Sequence, residues 1–245
     1  MNKIFKNSPA GWRGLGGIKT THGRLHLKIP ATLHELTLGQ LMAMQDKKEM
    51  SDMEAISILS GVTVDALNTV INFADLEALG EQVLALSQQI THLYNSDAVP
   101  GYVTFLVNGQ TVKVNVIRNL SVEPAGAFMA ARDIIAEEIK EHAGLHGDED
   151  WKENFSPSLK ACCQVLAHYF YCRATGNRYN EYQADEFCTE IKKLRVTEAL
   201  PIAKHFFTCY PALSKPRTSC LDRIRQRWSN GRASARSKSL STSTP

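Results

Sequence analysis

The amino-acid sequence predicts an α+β protein, predominantly helical, with a β-hairpin and one extra strand between two helical halves. Three observations carry this reading. Val103, Phe105 and Val107 alternate into Asn108-Gly109, and Val112, Val114 and Val116 alternate out of it. Asn-Gly favours the two-residue type I′ turn, so Phe105 should face Val112 and Val103 should face Val114. On both sides of this hairpin, apolar residues recur at three- and four-residue steps behind Ser, Thr and Asn caps. Leu25, Leu27 and Ile29 alternate with Arg24, His26 and Lys28, the period of a half-buried strand, and Pro30 ends it.

The first helical half is well punctuated. Thr37 with Gln40, and Ser51 with Glu54, have the spacing of capping boxes, in which each side chain satisfies the other's free backbone amide. Met53, Ile56 and Leu59 mark the apolar face of the second helix, and Ser60-Gly61 supplies its stop. Thr63 opens a third helix through Val64, Leu67 and Val70. Asn72 opens a fourth, with Phe73, Leu76, Leu79, Val83, Leu86 and Ile90 as its buried stripe. That stripe covers too few heptads to demand a coiled coil and suits a packed helix, with oligomerisation left open.

Beyond the hairpin, Ser121 is placed to cap a helix, with Glu123 and Pro124 in its first turn. Phe128, Ala131, Ile135 and Ile139 form its stripe, and Ala125, Gly126, Ala127 and Ala130 admit a close neighbour. The second half is expected to organise around this helix. A two-stranded hairpin is marginal alone, so its apolar face should pack on this helix and on the Leu25–Ile29 strand. A polar connector follows, where Asp148, Glu149 and Asp150 lack the alternate ligand spacing of a calcium loop. Ser156-Pro157 then introduces a strongly apolar helix through Leu159, Cys162, Cys163, Leu166, Tyr169 and Phe170, with Gly176 as its stop. Asn180 and Gln183 form another capping box, and Thr197 opens a last helix with Pro201 in its first turn.

At 245 residues, 43% hydrophobic and 22% charged, the chain can bury a core of its own. It contains no apolar run of membrane-spanning length, no secretory core and no lipidation box, which points to the cytoplasm. Composition divides it into a flexible basic arm (1–23), a segment of strand, short helices and hairpin (24–117), a helical half (118–214) and a basic disordered tail (215–245). Lys3, Lys6, Arg13, Lys19 and Arg24 give the first 24 residues a charge of +5. Eight basic residues against Asp222 give the tail +7, which leaves −9 between them. Such basic ends seek nucleic acid, an acidic protein surface or the body itself. Arg217, Arg223, Arg225, Arg227, Trp228, Arg232 and Arg236 are the candidate partner-binding residues.

The remaining chemistry is negative. Cys162, Cys163, Cys172, Cys188, Cys209 and Cys220 form no CxxC and read as small core residues. His168 and Cys172 share a helix face but lack a second closely spaced ligand pair for zinc. The GWRGLGGIKT stretch lacks the Gly-Lys-Ser/Thr of a phosphate loop. Glu137 and Glu138 diverge on their helix, and Cys163 with His168 is not a recognised nucleophile–base arrangement. The reading is non-enzymatic, with no cofactor and no metal.

Residues 54–83, EAISILSGVTVDALNTVINFADLEALGEQV, place a helix ending at Ser60-Gly61, a short helix, and then Ala74-Asp75-Leu76 at the start of a longer one. This order resembles the tail-assembly chaperones of long-tailed bacteriophages. The resemblance implies a morphogenesis factor that binds and shields a tail protein, such as the tape measure, in the host cytoplasm. The hairpin and second helical half are additions to that pattern, and they leave open a permanent structural or connector protein of the virion. The basic tail leaves open a nucleic-acid-associated protein.

Overall fold

The computed structural model describes residues 17–47, 49–90, 98–146 and 156–209. Its central element is an α-helix at Leu159–Thr175, and the reason lies in its composition. From Leu159 to Tyr171 every side chain except Lys160 and Gln164 is buried. A helix that is apolar all round has no face to give to water and must be wrapped by its neighbours. The order of elements is β1 (Ile18–Thr20), β2 (Gly23–Leu25), α1 (Leu38–Gln45), α2 (Asp52–Ser60), α3 (Val64–Leu67) and α4 (Phe73–Ile90). There follow β3 (Tyr102–Val107), β4 (Gln110–Asn115), a 3-10 turn (Leu120–Val122), α5 (Ala125–His146), α6 (the central helix), α7 (Glu181–Glu186), α8 (Cys188–Ile191) and α9 (Val196–Cys209). The fold is α+β and mostly helical, with two small antiparallel two-stranded sheets.

The hairpin has the expected register, Val103 opposite Val114 and Phe105 opposite Val112, around Asn108 and Gly109 at φ of 52° and 76°. Its packing partner is a correction to the sequence reading. Phe105 packs its ring at a tilt against Phe170 of α6 and against Phe187, with ring centroids 5.2 and 5.3 Å apart, so α6 rather than the Leu25–Ile29 strand takes the load. That strand is also shorter than its pattern. Burial still alternates out to Ile29, but the ladder pairs Leu25, Arg24 and Gly23 with Ile18, Lys19 and Thr20 and goes no further. The arm expected to run to residue 23 therefore gives way to structure at Ile18, whose side chain is buried.

Capping follows the sequence closely in the first half. Both capping boxes are complete, at Thr37 with Gln40 and at Ser51 with Glu54, and Gly61 ends α2 in the left-handed region at φ 72°. In the second half two boundaries shift and one capping box is left half-made. Asn119, not Ser121, caps the turn before α5, and α5 itself begins at Ala125 behind Pro124. Asn180 caps α7, but the Gln183 side chain is drawn to the Tyr171 hydroxyl instead of returning to the cap. Arg195 precedes α9, so Pro201 falls in the second turn, where its ring is buried among the core.

Two devices hold the elements onto α6. The chain leading into α1 lies antiparallel to the chain leading into α9: Leu38 N–H donates to Leu194, Gly39 N–H to Lys192 and Val196 N–H to Leu36. At Gly39 a Cβ would stand 3.0 Å from the Lys192 carbonyl oxygen, so the contact needs glycine. The second device is polar. Arg173 pairs with Glu123, donates to the Asn115 carbonyl at 2.9 Å and lies over the Tyr169 ring. The Tyr169 hydroxyl donates to the Ile117 carbonyl and accepts from the Ile117 amide, both at 2.7 Å. Together they fasten the whole passage from hairpin to α5.

The side chain of Glu123 is 3% exposed and that of Arg173 22%. Breaking a buried pair strands a charge, whereas replacing both partners by apolar groups is close to neutral. Arg173→Met should therefore lower stability by about 3–5 kcal/mol, and adding Glu123→Leu should recover most of the loss. Urea unfolding of the two variants beside the parent checks this.

Candidate interaction surface

Residues 54–83 fall in α2, α3 and α4, and the apolar residues of this region divide into two sets. Ile56, Leu59, Leu67, Leu79, Val83 and Leu86 are buried, as their periodicity requires. Phe73, expected at the head of the same stripe, is 75% exposed, and Ile71 and Leu84 are 66% and 60% exposed. Helical geometry explains the departure. Phe73 and Leu84 are eleven residues apart, which returns to nearly the same azimuth, so both lie on the face opposite the core and about 16 Å apart along the axis. Glu77, Gly80 and Glu81 lie between them. Helix α4 carries Asp75, Glu77 and Glu81 and no basic residue. Neither Glu77 nor Glu81 is in an ion pair among the described residues. The result is an outward acidic face with two large apolar side chains on it.

A second exposed apolar set lies on the outer face of the hairpin, where Tyr102 and Leu106 alternate with the buried Val103 and Phe105. The Lys113 ammonium is 3.6 Å from the Tyr102 ring centroid, so this face pairs an aromatic with a cation where the α4 face carries acids. Tyr182, on α7, is a further exposed aromatic.

The candidate tail residues Arg217, Arg223, Arg225, Arg227, Trp228, Arg232 and Arg236 lie outside the described residues. So do Asp148, Glu149 and Asp150 of the polar connector, and Cys220. Sequence reasoning missed the α4 face because it assigned Phe73 to the buried stripe. The signal was present in the eleven-residue spacing of Phe73 and Leu84.

The titratable groups of α6 belong to its packing. His168 is buried, with Nδ1 3.0 Å from the Tyr179 hydroxyl and Nε2 3.5 Å from Asp185. Burial lowers its pKa below 6.5, against a smaller opposing pull from Asp185 and Glu181. Both ring nitrogens are thus committed, and Cys172 at the next turn is not joined to them in a metal-binding group. Among the described residues no cluster of three or more His, Cys, Asp or Glu could hold a metal ion. Burial pushes the Cys162 thiol up. The Cys163 thiol is raised by its hydrogen bond to Cys188 and by burial, and the Cys188 thiol is lowered by the same bond. Two open grooves, one lined by Gly39, Gln40, Ser57, Ile58 and Val62 and the other by Tyr171, Asn177, Gln183, Glu186 and Phe187, hold no convergent set of catalytic groups.

No helix among the described residues is long and apolar enough to cross a membrane. No protein-family model, curated protein or solved structure matches the chain.

His168 gives a pH dependence with a definite sign. Its folded pKa is depressed, so the unfolded chain takes up the proton first and stability falls with pH. The loss should begin near the unfolded value of 6.5 and level off below the folded one. Thermal unfolding between pH 7.5 and 5 should show a steeper decline for the parent than for His168→Phe.

Proposed function

We propose that the protein is a non-enzymatic morphogenesis factor that, like the tail-assembly chaperones it resembles over residues 54–83, binds and shields a phage tail protein such as the tape measure during assembly. The observation that carries this reading is the outer face of α4, where Phe73 and Leu84 stand in solvent among acids. An apolar surface of this kind binds unfinished apolar segments of another chain, while the acids keep the free protein soluble. A permanent role in the virion is the competing reading, and it shares this surface.

The tail supports a second activity. Its charge of +7 against a body of −9 suits non-specific contact with nucleic acid through Arg217, Arg223, Arg225, Arg227, Arg232 and Arg236, with Trp228 stacking on bases. Nothing in it resembles a base-reading element, so sequence preference should be negligible.

Co-expression with the long tail protein encoded nearby should raise that protein's soluble yield, and Phe73→Glu with Leu84→Glu should abolish the gain. Unchanged yield and no complex on size exclusion would reject the shielding role. Mass spectrometry of purified particles should not detect the protein; many copies per particle would place it among the virion components instead. Binding to duplex DNA should lose affinity with a log–log salt slope of about 0.9 per neutralised phosphate and disappear when the tail arginines are replaced by serine. Binding that survives that replacement would reject the tail as the nucleic-acid contact.

A further inference from the structure

Two cysteines far apart in the sequence meet where α8 packs on α6. Cys163 lies on the side of α6 that receives α8, and Cys188 is the first residue of α8. The Cys163 thiol donates toward Cys188, with Sγ 3.7 Å from the carbonyl oxygen, and the two thiols are themselves in hydrogen-bond contact. Helical geometry turns the other α6 cysteines away. Cys162 is about 100° around the axis from Cys163, and Cys172, nine residues on, is about 180° around it.

The two thiols are unlike in a way that suits two successive steps. Cys163 is buried, whereas Cys188 is half-buried and open to a small reagent. Their shared hydrogen bond holds the proton on Cys163 and makes Cys188 the more acidic of the two. Burial and Asp185 oppose this at Cys188, and Lys192, one turn further along α8, favours its thiolate. A partly exposed thiolate beside a second thiol that can resolve it is the arrangement redox-sensing cysteines need.

We propose that Cys163 and Cys188 form a peroxide-responsive pair that closes reversibly to a disulfide between α6 and α8. The Cys188 thiolate attacks one oxygen of hydrogen peroxide. The O–O bond breaks, hydroxide leaves and takes up the proton that Cys188 gave up, and Cys188 becomes a sulfenic acid. The Cys163 sulfur then attacks Cys188 Sγ, the S–O bond breaks, and the hydroxyl departs as water with the Cys163 proton. Two thiols lose two electrons to one peroxide, giving one disulfide and two waters. Helix α8 leads directly into Lys192 and Leu194, whose carbonyls accept from Gly39 and Leu38. The link therefore fixes on α6 the same segment that holds α1, and it stands independently of what the protein binds.

The test treats the reduced full-length chain with hydrogen peroxide, blocks the remaining thiols with N-ethylmaleimide and maps unreduced tryptic peptides by mass spectrometry. The expected product joins residues 161–173 to residues 179–192, lowers the free thiols from six to four and is reversed by dithiothreitol. Residues 161–173 also hold Cys162 and Cys172, so variants make the assignment: Cys162→Ala and Cys172→Ala should keep the link, and Cys163→Ala should lose it. In Cys163→Ala, dimedone should trap a sulfenic acid on Cys188 at about tenfold the parent's yield. Cys188 should be consumed faster than Cys209, although Cys209 is the more exposed. The linked parent should melt several degrees above the reduced one, because the bond closes a long loop whose ends already meet. A thiol count that stays at six, a link through another cysteine, slower loss of Cys188 than of Cys209, or a lower melting midpoint would each overturn the proposal.

Discussion

A helix with no polar face sets the terms for this fold. Because α6 buries almost every side chain from Leu159 to Tyr171, its neighbours are arranged by the need to cover it on all sides. The hairpin covers one side through Phe105, α9 covers another through Phe206, whose ring centroid is 4.7 Å from that of Tyr169, and α5 runs along a third. Helix α5 approaches closely over its first turns, where the inward residues Ala127 and Ala131 are small and at Gly126 an added Cβ would stand 2.6 Å from the Tyr179 ring, while Ile135 and Ile139 fill the wider space further along. Each wrapping element contributes a narrow stripe, and α6 collects them all.

Covering an apolar helix does not fix the direction in which its covers leave, and polar groups do that work here. The hairpin exit must turn sharply to start α5, and its backbone leaves carbonyl and amide groups facing the core. Tyr169 and Arg173, one turn apart on α6, supply the missing partners at Ile117 and Asn115, and Glu123 neutralises the arginine. A stripe of hydrocarbon alone would tolerate several exit paths. This network selects one.

Much of this was legible in the sequence, and the misses share a physical cause. Local signals succeeded: the Asn108-Gly109 turn, the boxes at Thr37 and Ser51, and the stops at Gly61 and Gly176 each depend on residues within a few positions of one another. Choices between distant partners did not. The hairpin was expected on α5 and on the strand near Leu27, because amphipathic neighbours were easier to see than a helix apolar all round. Phe73 was assigned to a core stripe from which its azimuth departs, about 80–120° around α4 from Val83 and Leu79. Gln183 left its cap because Tyr171 offered a partner twelve residues back in the chain. Of the candidate surface, the acids of α4 could be read directly, whereas the exposure of Phe73 depended on which side of α4 the core lies.

The pairing of Leu36–Gly39 with Lys192–Val196 bears on how the chain reaches this state on the ribosome. Leu36 and Leu38 are fully buried in the finished fold, yet the strand-like segment that receives their backbone is made roughly 150 residues later. At ordinary elongation rates that is a wait of about 8–30 s. During it α1 and α2 can form their local caps but cannot close over their own leucines. Helix α6 is made before α9 and waits, for a shorter time, in the same condition. Translation therefore delivers a nascent chain whose stickiest surfaces are complete before their covers, and α9, the last of the described helices to emerge, is the one that shuts the core.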